Sequence, residues 1–453
     1  MNCAPRRLVP GRSAFNGNIM SSQTLDRASS FDHLVPFRWP SAWSDPALLR
    51  WFAASPINCL LFESLNAARP VVGAARAAGL TALEWSSLKA APLEQVEWDS
   101  AASQTAITGL VWPRIKISKG ESDVDAGPTG APWIDSNSWV ARLAAVRAPS
   151  RPVWLGFELA KDDPTPDLAT YNIAIADSAA SGARWMMALD EGLRKGLPVG
   201  NADAVKTWRG ILATLAFFEK RRQWAAWERW GSIGILSSFA GKDEFMGQEL
   251  LNLAARRNLL YRVLDRAHPA SQKFEGLPAV LYVDSELPSA ELKAKLGAFA
   301  RSGGMLIVPH ALAAQFPGEA SVATQVAGYE VKSLGRGSVA AATRDWDDPF
   351  FLAADVHNLV KRRNDPVALF NARSLWEHYS VAPEGRGALL QFVAFTSRPT
   401  ESVSVAPAKA WRSAAMHTIG PDAPAILEPA KVEGRVEFHL PPFSWYTAVE
   451  FRS

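Results

Sequence analysis

The chain reads as an α/β protein: a (β/α) barrel of the TIM type, then a short doubly wound α/β module, then a small C-terminal antiparallel β-sandwich. Three observations predict this order. Over residues 30–225, six apolar runs alternate with helical segments, and over 229–325 the alternation continues as shorter strands and helices. From residue 366 onward, short strands with alternating character are separated by turn residues. Strand–helix alternation argues for a parallel sheet, and short strands between turns argue for an antiparallel domain.

The six runs are HLVPFRW (33–39), INCLLFE (57–63), LTALEW (80–85), AITGLVW (106–112), PVWLGFE (152–158) and ARWMMALD (183–190). Continuous apolar runs fit strands buried on both faces. They stop at Glu63, Glu84, Glu158 and Asp190, beside Trp39, Trp85 and Trp112. Polar groups at the carboxyl ends of buried strands are what a barrel presents to substrate. Six strands are visible rather than eight, so the barrel is incomplete or two strands lie in segments that read as loop. Helices are expected over Ala67–Ala78, Asn137–Val146, Asp167–Ser181 and Ala202–Glu228.

In the second region WGSIGILSSF (230–239), LLYRVLD (259–265), LPAVLYVD (277–284) and GMLIVP (304–309) are the strands. Helices over 247–258 and 289–303 lie between them, the second closed by Gly303 and Gly304. The expected boundaries are a disordered tail over 1–28, the barrel over 29–228, the α/β module over 229–330, a connecting segment over 331–365 and the β-domain over 366–453. The connecting segment carries one helix, Pro349–Arg363.

Composition excludes several classes. The 453 residues carry 48 Lys+Arg against 45 Asp+Glu, a formal charge of +3, with no basic stripe, so nucleic acid is not an expected partner. No apolar stretch reaches the roughly 18 residues that span a bilayer. The basic, Ser/Gly/Asn-rich start lacks the apolar core of a secretory signal, which places the protein in the cytoplasm, with Met20 a candidate true start. Cys3 lies in that start and Cys59 in an apolar strand, so no disulfide framework is encoded.

The order of parts, closing in HLPPFSWYTAVEF (439–451), resembles the bacterial β-galactosidases of glycoside hydrolase family 42 and their clan A relatives. The resemblance implies a flavodoxin- or amidotransferase-like middle module and a sugar-cleaving barrel. Clan A enzymes carry an Asn-Glu pair at the end of the fourth barrel strand. This chain has no Asn-Glu dipeptide, so their catalytic residues are not carried over. The middle module has no Cys beyond position 59, which excludes thiol-dependent glutamine hydrolysis there. GILSSFAG (234–241) is not a dinucleotide turn, and no phosphate-binding P-loop occurs, so no cofactor is expected. Ser237, Ser238 and Asp243 stand at that strand's end, and the module reads as structural or oligomerising, which makes a homo-oligomer the expected assembly.

Glycoside hydrolysis needs two carboxyl groups flanking the scissile bond. Glu158 and Asp190 end consecutive runs and are the first-choice catalytic pair. Glu158 is the acid, with Trp154 and Phe157 an apolar wall of the kind that keeps a carboxyl group protonated, and Asp190 the nucleophile or base. Asp190 also stands directly before EGLRKGL, where it can cap a helix. Glu63 and Glu84 form a second pair for sugar hydroxyls, with ion pairing to Arg69 or Arg76 the structural alternative. The loop ESDVDAGPTGAPWIDSNSW (121–139) offers Trp133, Asp135, Asn137 and Trp139 to a ligand, and Asp135 or Ser136 can equally cap the helix that follows. Its D-x-D spacing lacks the Gly and Glu of an EF-hand, so no metal is expected.

Fourteen of the 18 Trp lie before residue 231, and an indole packs well on the C–H face of a sugar. Trp39, Trp112 and Trp154 therefore join the substrate-facing residues. Trp208, Trp224 and Trp227 recur at helical spacing and read as core. Two functions remain open: a glycoside hydrolase acting through paired carboxylates, and a non-catalytic carbohydrate-binding protein on the same architecture.

Overall fold

The computed structural model describes residues 31–98, 101–115, 133–159, 165–360, 365–372, 375–396 and 398–453. The expected tail over 1–28 and most of the 121–139 loop lie outside the described residues. Strands β1 (Pro36–Arg38), β2 (Cys59–Phe62) and β3 (Thr81–Glu84) form one parallel sheet. Strands β4 (Ala91–Pro92), β5 (Thr105–Leu110), β6 (Val153–Phe157) and β7 (Ala183–Trp185) form another. A parallel bridge between Phe37 and Met187 joins them, with Arg38 N–H donating to Met187 O at 2.8 Å. The spatial order is thus β3-β2-β1-β7-β6-β5-β4.

Among the described residues no ladder joins β3 to β4, so hydrogen bonds do not close the expected barrel. The seventh strand, two residues long, fell in a segment that reads as loop, because Ala91–Pro92 carries no periodic signal. Both faces of the layer are nevertheless dry. Successive side chains of a strand point to opposite faces. One parity gathers Leu34, Cys59, Leu61, Leu88, Ala106, Trp154 and Met186 into a single interior. The other sends Phe37, Leu60, Phe62, Ile107, Leu155, Phe157 and Trp185 against the helices. Burial inside the layer pushes the Cys59 thiol up to about 12, so it stays protonated.

The helices that cover the outer face are α1 (Arg69–Ala77), α2 (Ser138–Arg147), α3 (Leu168–Ala180), α4 (Glu191–Gly196) and α5 (Ala202–Glu219). The long helix expected to reach Glu228 ends at Glu219; Trp224 sits instead in a 3-10 turn over Arg222–Ala226. Trp208 of α5 packs edge-on to Phe37 and Phe52 at 5.8 and 5.6 Å and is 1% exposed. Burial of such a ring stabilises by roughly 1.5–3 kcal/mol, which fixes α5 to the sheet.

The second module is doubly wound. Its strands β8 (Ile233–Ser237), β9 (Tyr261–Asp265), β10 (Ala279–Tyr282) and β11 (Met305–Val308) run parallel in the order β9-β8-β10-β11. Helices α6 (Glu244–Arg256) and α7 (Ala290–Arg301) lie between them in sequence. The same sheet continues through β12 (Tyr329–Leu334) and β13 (Gly337–Ala342), residues that from 331 onward the sequence assigns to a connecting segment. Arg147, at the end of α2, ties this module to the first: its Nε donates to Asp265 Oδ2 at 2.6 Å and its Nη2 to Ser238 O at 2.8 Å. Helix α8 (Pro349–Val360) follows.

The C-terminal region builds a pair of antiparallel sheets of six and four strands, the larger taking its edge strand from Glu228–Arg229. Leu390, Phe392, Val405, Phe438, Val449 and Phe451 pack between them. The opposite face of the larger sheet, with Trp376, Leu389, Val393, Tyr446 and Ala448, joins the core of the first module. Tyr446 meets Phe217 and Phe218 of α5 at 5.6 and 4.8 Å between ring centroids. Double-sided burial is why ALLQFVAF is apolar but for Gln391, which accepts from the Tyr446 hydroxyl at 2.7 Å.

Candidate functional site

The carboxyl ends of the first parallel layer carry the site, and side-chain parity selects what faces it. In β2, Cys59 and Leu61 point inward, so Glu63 continues the inner row; in β6, Trp154 and Gly156 point inward, so Glu158 does the same. At Gly156 a Cβ would come within 3.0 Å of Met186 Cε and 3.1 Å of Thr108 Cγ2, so glycine lets the strand pass its neighbours below the mouth. In β1 the outward Phe37 and Trp39 leave Arg38 as the inward residue at the rim.

These three residues meet. Arg38 Nη2 donates to Glu63 Oε1 at 2.9 Å, and Arg38 Nη1 is ion-paired with Glu158 Oε1. The guanidinium stacks over the Trp85 ring, 4.3 Å from its centroid. Glu63 and Glu158 side chains are 55% and 56% exposed, against 26% for Arg38, so the carboxylates face solvent above a partly sheltered cation. Two carboxylates around one guanidinium leave the cluster with a formal charge of −1. Their free oxygens accept hydrogen bonds from hydroxyl donors, and the indole offers an apolar platform.

Asp190 does not join this cluster. Its Oδ1 accepts from the N–H groups of Gly192 at 2.6 Å and Leu193 at 3.2 Å, and its Oδ2 accepts from the Tyr171 hydroxyl at 2.8 Å. It is the N-cap of α4, and no hydrogen bond or ion pair links it to Glu158. Burial, reinforced by the Asp190 carboxylate, pushes the Tyr171 phenol well above its ordinary range, so it remains a hydrogen-bond donor. Glu84 shares the parity of the outward Ala82, and its Oε1 accepts from Leu65 N–H at 3.3 Å. Glu63 and Glu84 therefore lie on opposite faces and do not act as a pair.

Three of the expected indole platforms are core residues. Trp39 is 4% exposed, donates from Nε1 to Trp43 O at 2.8 Å and packs among Trp43, Phe52 and Phe62. Trp112, also 4% exposed, is surrounded edge-on by Phe157, Tyr171 and Trp185. Trp154, 0% exposed, fills the interior of the layer. Trp39 fails as a platform because it continues the outer parity into the helix layer, and Trp154 because it sits mid-strand. Trp85, the indole that does reach the mouth, was legible as a strand end. Arg38 was overlooked, although the PFRW pattern, with two outward aromatics around it, contains the signal.

The end of the long loop is an anchor. Asn137, 1% exposed, donates from Nδ2 to Val111 O at 2.8 Å, and its backbone N–H donates to Asp177 Oδ2 at 2.9 Å. Ser136 Oγ donates to Asp177 Oδ1 at 2.5 Å. Asp177 of α3 thus receives the start of α2. Burial pushes its carboxyl up to about 6, against the pull of Ser136, Asn137 and Arg142. Asp135 pairs with Arg114 in a two-stranded ribbon, Trp133 lies half-buried under the Arg256 guanidinium at 4.5 Å, and Trp139 is half-buried on α2. None of these four converges on the Arg38 cluster through a hydrogen bond or ring contact. Among the described residues no group of His, Cys, Asp and Glu is arranged to hold a metal ion, and no helix is long and apolar enough to cross a membrane.

No protein-family model and no curated protein sequence matches the chain. Its structural neighbours are glycoside hydrolases. A β-galactosidase from Rahnella sp. R3 is 10% identical, with 85% of this chain and 65% of that chain covered and a TM-score of 0.48. The α-L-fucosidase isoenzyme 2 from Paenibacillus thiaminolyticus is 12% identical, with 67% and 60% covered and a TM-score of 0.47. A rhamnosidase from Novosphingobium sp. PP1Y is 11% identical, with 73% and 34% covered and a TM-score of 0.47. The chain spans less than two thirds of the length of these proteins.

Proposed function

We propose that this chain is a carbohydrate-active protein of glycoside hydrolase-like architecture, with Glu63, Glu158, Arg38 and Trp85 forming its sugar site. The observation that carries this reading is the meeting of Glu63 and Glu158, from different strands, on one guanidinium at the open end of the layer. A shared guanidinium brings two carboxylates to one mouth, the arrangement that paired-carboxylate glycoside hydrolysis needs. In that assignment Glu158, which takes up a proton from solvent once substrate displaces it from Arg38, protonates the glycosidic oxygen while Glu63 attacks the anomeric carbon. Water then cleaves the glycosyl ester with Glu158 as base. Trp85 stacks on the sugar ring. Arg38 must release one carboxylate when substrate enters, and it orients the other.

A second reading, a binding-only site, draws support from the same cation: Arg38 stands in the gap that a scissile oxygen has to occupy. A panel of aryl glycosides tests the first reading. Hydrolysis that falls at least a hundredfold in both Glu63→Gln and Glu158→Gln, a typical scale for loss of an acid–base group, supports the enzyme. Sugar binding without turnover, weakened by the same changes, supports the second reading. Neither turnover nor binding across the panel rejects both.

A further inference from the structure

The geometry points to a second ligand site, for a small organic anion with a planar or apolar body, in the cavity between the first module and the larger C-terminal sheet. This cavity, about 1000 Å³, is lined by Pro152, Val153, Gly182 and Ala183 at the amino ends of β6 and β7. It therefore opens at the end of the layer opposite to Glu63 and Glu158. Its volume is that of a small-molecule pocket. One part of the lining is aromatic, with Phe218, Trp224 and Trp227. The polar part holds five arginines against two carboxylates, and one of those, Glu219, is taken by Arg184.

Arg229 is a lining cation without a counter-charge among the described residues. It is half-buried, its Nη2 lies 3.4 Å from Ala180 O at the end of α3, and among the described residues it makes no ion pair. Burial and the like charge of Arg142 push its guanidinium down to about 9, a sign of how poorly the position accommodates a cation by itself. Behind it Arg142, 8% exposed, donates from Nη2 to His378 Nδ1 at 2.7 Å and stacks on Tyr261 at 4.5 Å. A guanidinium only donates, so His378 Nδ1 accepts and its Nε2 carries the proton. Among the described residues that Nε2, Arg142 Nε and the Ser380 hydroxyl are buried without hydrogen-bond partners, while the Tyr261 hydroxyl faces Arg142. His378 and Ser380 both line the cavity. Asp177, a carboxylate acting on Arg142, already accepts from Ser136 and Asn137. Positive charge thus exceeds negative charge in a cavity whose lining also carries aromatic rings. An anion with a planar body satisfies both.

Calorimetric titration of the full chain with benzoate, phenyl phosphate, inorganic phosphate and the neutral benzyl alcohol tests the site. Benzoate or phenyl phosphate is expected to bind at least tenfold more tightly than benzyl alcohol, with a change in tryptophan fluorescence. The stronger of the two names the anionic group. Arg229→Gln should weaken that binding at least tenfold and leave the ligand-free thermal midpoint unchanged or higher, because it removes an uncompensated charge. A fall in the midpoint instead makes Arg229 a cap for α3 and overturns the assignment. Trp227→Ala, away from the helix end, should weaken the aromatic anion about fivefold and leave inorganic phosphate unaffected. Absence of anion binding, equal binding of benzyl alcohol, or binding indifferent to both variants also overturns it.

Discussion

Arg38 and Glu63 end neighbouring strands, and the guanidinium of one donates to the carboxylate of the other across 2.9 Å. The same fork holds Glu158. Both carboxylates are more than half exposed, so the contacts add little to stability in water and the ions remain available to a ligand.

The first expectation separates the carboxylates by what they do. Glu63→Gln and Glu158→Gln should lower sugar turnover at least a hundredfold, or weaken sugar binding, and leave the thermal midpoint nearly unchanged. Asp190→Ala should lower stability by about 1 kcal/mol, the scale of a lost N-cap, and leave sugar affinity alone. Thermal melts and ligand titrations on the same three variants check this; a loss of binding in Asp190→Ala would return Asp190 to the site.

The indoles divide similarly. Trp85→Ala should weaken sugar binding by about 1–3 kcal/mol with little change in stability, the scale of one large apolar contact. Trp39→Ala and Trp112→Ala should each destabilise by about 3–5 kcal/mol, as buried aromatic truncations do. Chemical denaturation distinguishes the two classes.

Asp177 predicts a pH dependence. Its carboxyl is raised in the folded chain to about 6 from an ordinary 3.8, so between those values the native state holds a proton that the unfolded state has lost. Stability should therefore fall as pH rises through that window, by on the order of 3 kcal/mol at most. Asp177→Asn should flatten this portion of the curve, measured by denaturation at pH 4, 5, 6 and 7. An identical slope in the variant would show that Asp177 is not the group responsible.

The second module presents Phe245 and Leu287 at 70% and 62% exposure, and a hydrogen bond of 3.0 Å between Ser285 and Asp243 joins the start of α6 to the segment that carries Leu287. If this face serves assembly, light scattering gives a mass of at least two chains, and Phe245→Glu with Leu287→Glu shifts it to one. A strict monomer at micromolar concentration counts against an assembly role.

Much of the strand and helix order was legible because strands buried on both faces leave long apolar runs, as in PVWLGFE and LPAVLYVD. The site was legible only in part. Glu63 and Glu158 announced themselves by ending such runs, but a carboxylate before EGLRKGL fits a cap and a nucleophile equally, and only geometry decides for Asp190. The indoles misled because a strand-end Trp can continue either parity. Ala91–Pro92 is too short for any period, and the buried donors around Arg142 come from α2, β9 and the C-terminal sheet, which no local pattern connects.

The sheet that carries Tyr446 has a consequence for how the chain is made. Phe217 and Phe218 leave the ribosome long before the strand that covers them, Tyr446–Arg452, has been translated. A nascent first module therefore carries an uncovered apolar face throughout synthesis of the other two. Such a chain has reason to depend on a chaperone during translation, and a premature stop ahead of Tyr446 leaves an aggregating fragment rather than a smaller working protein.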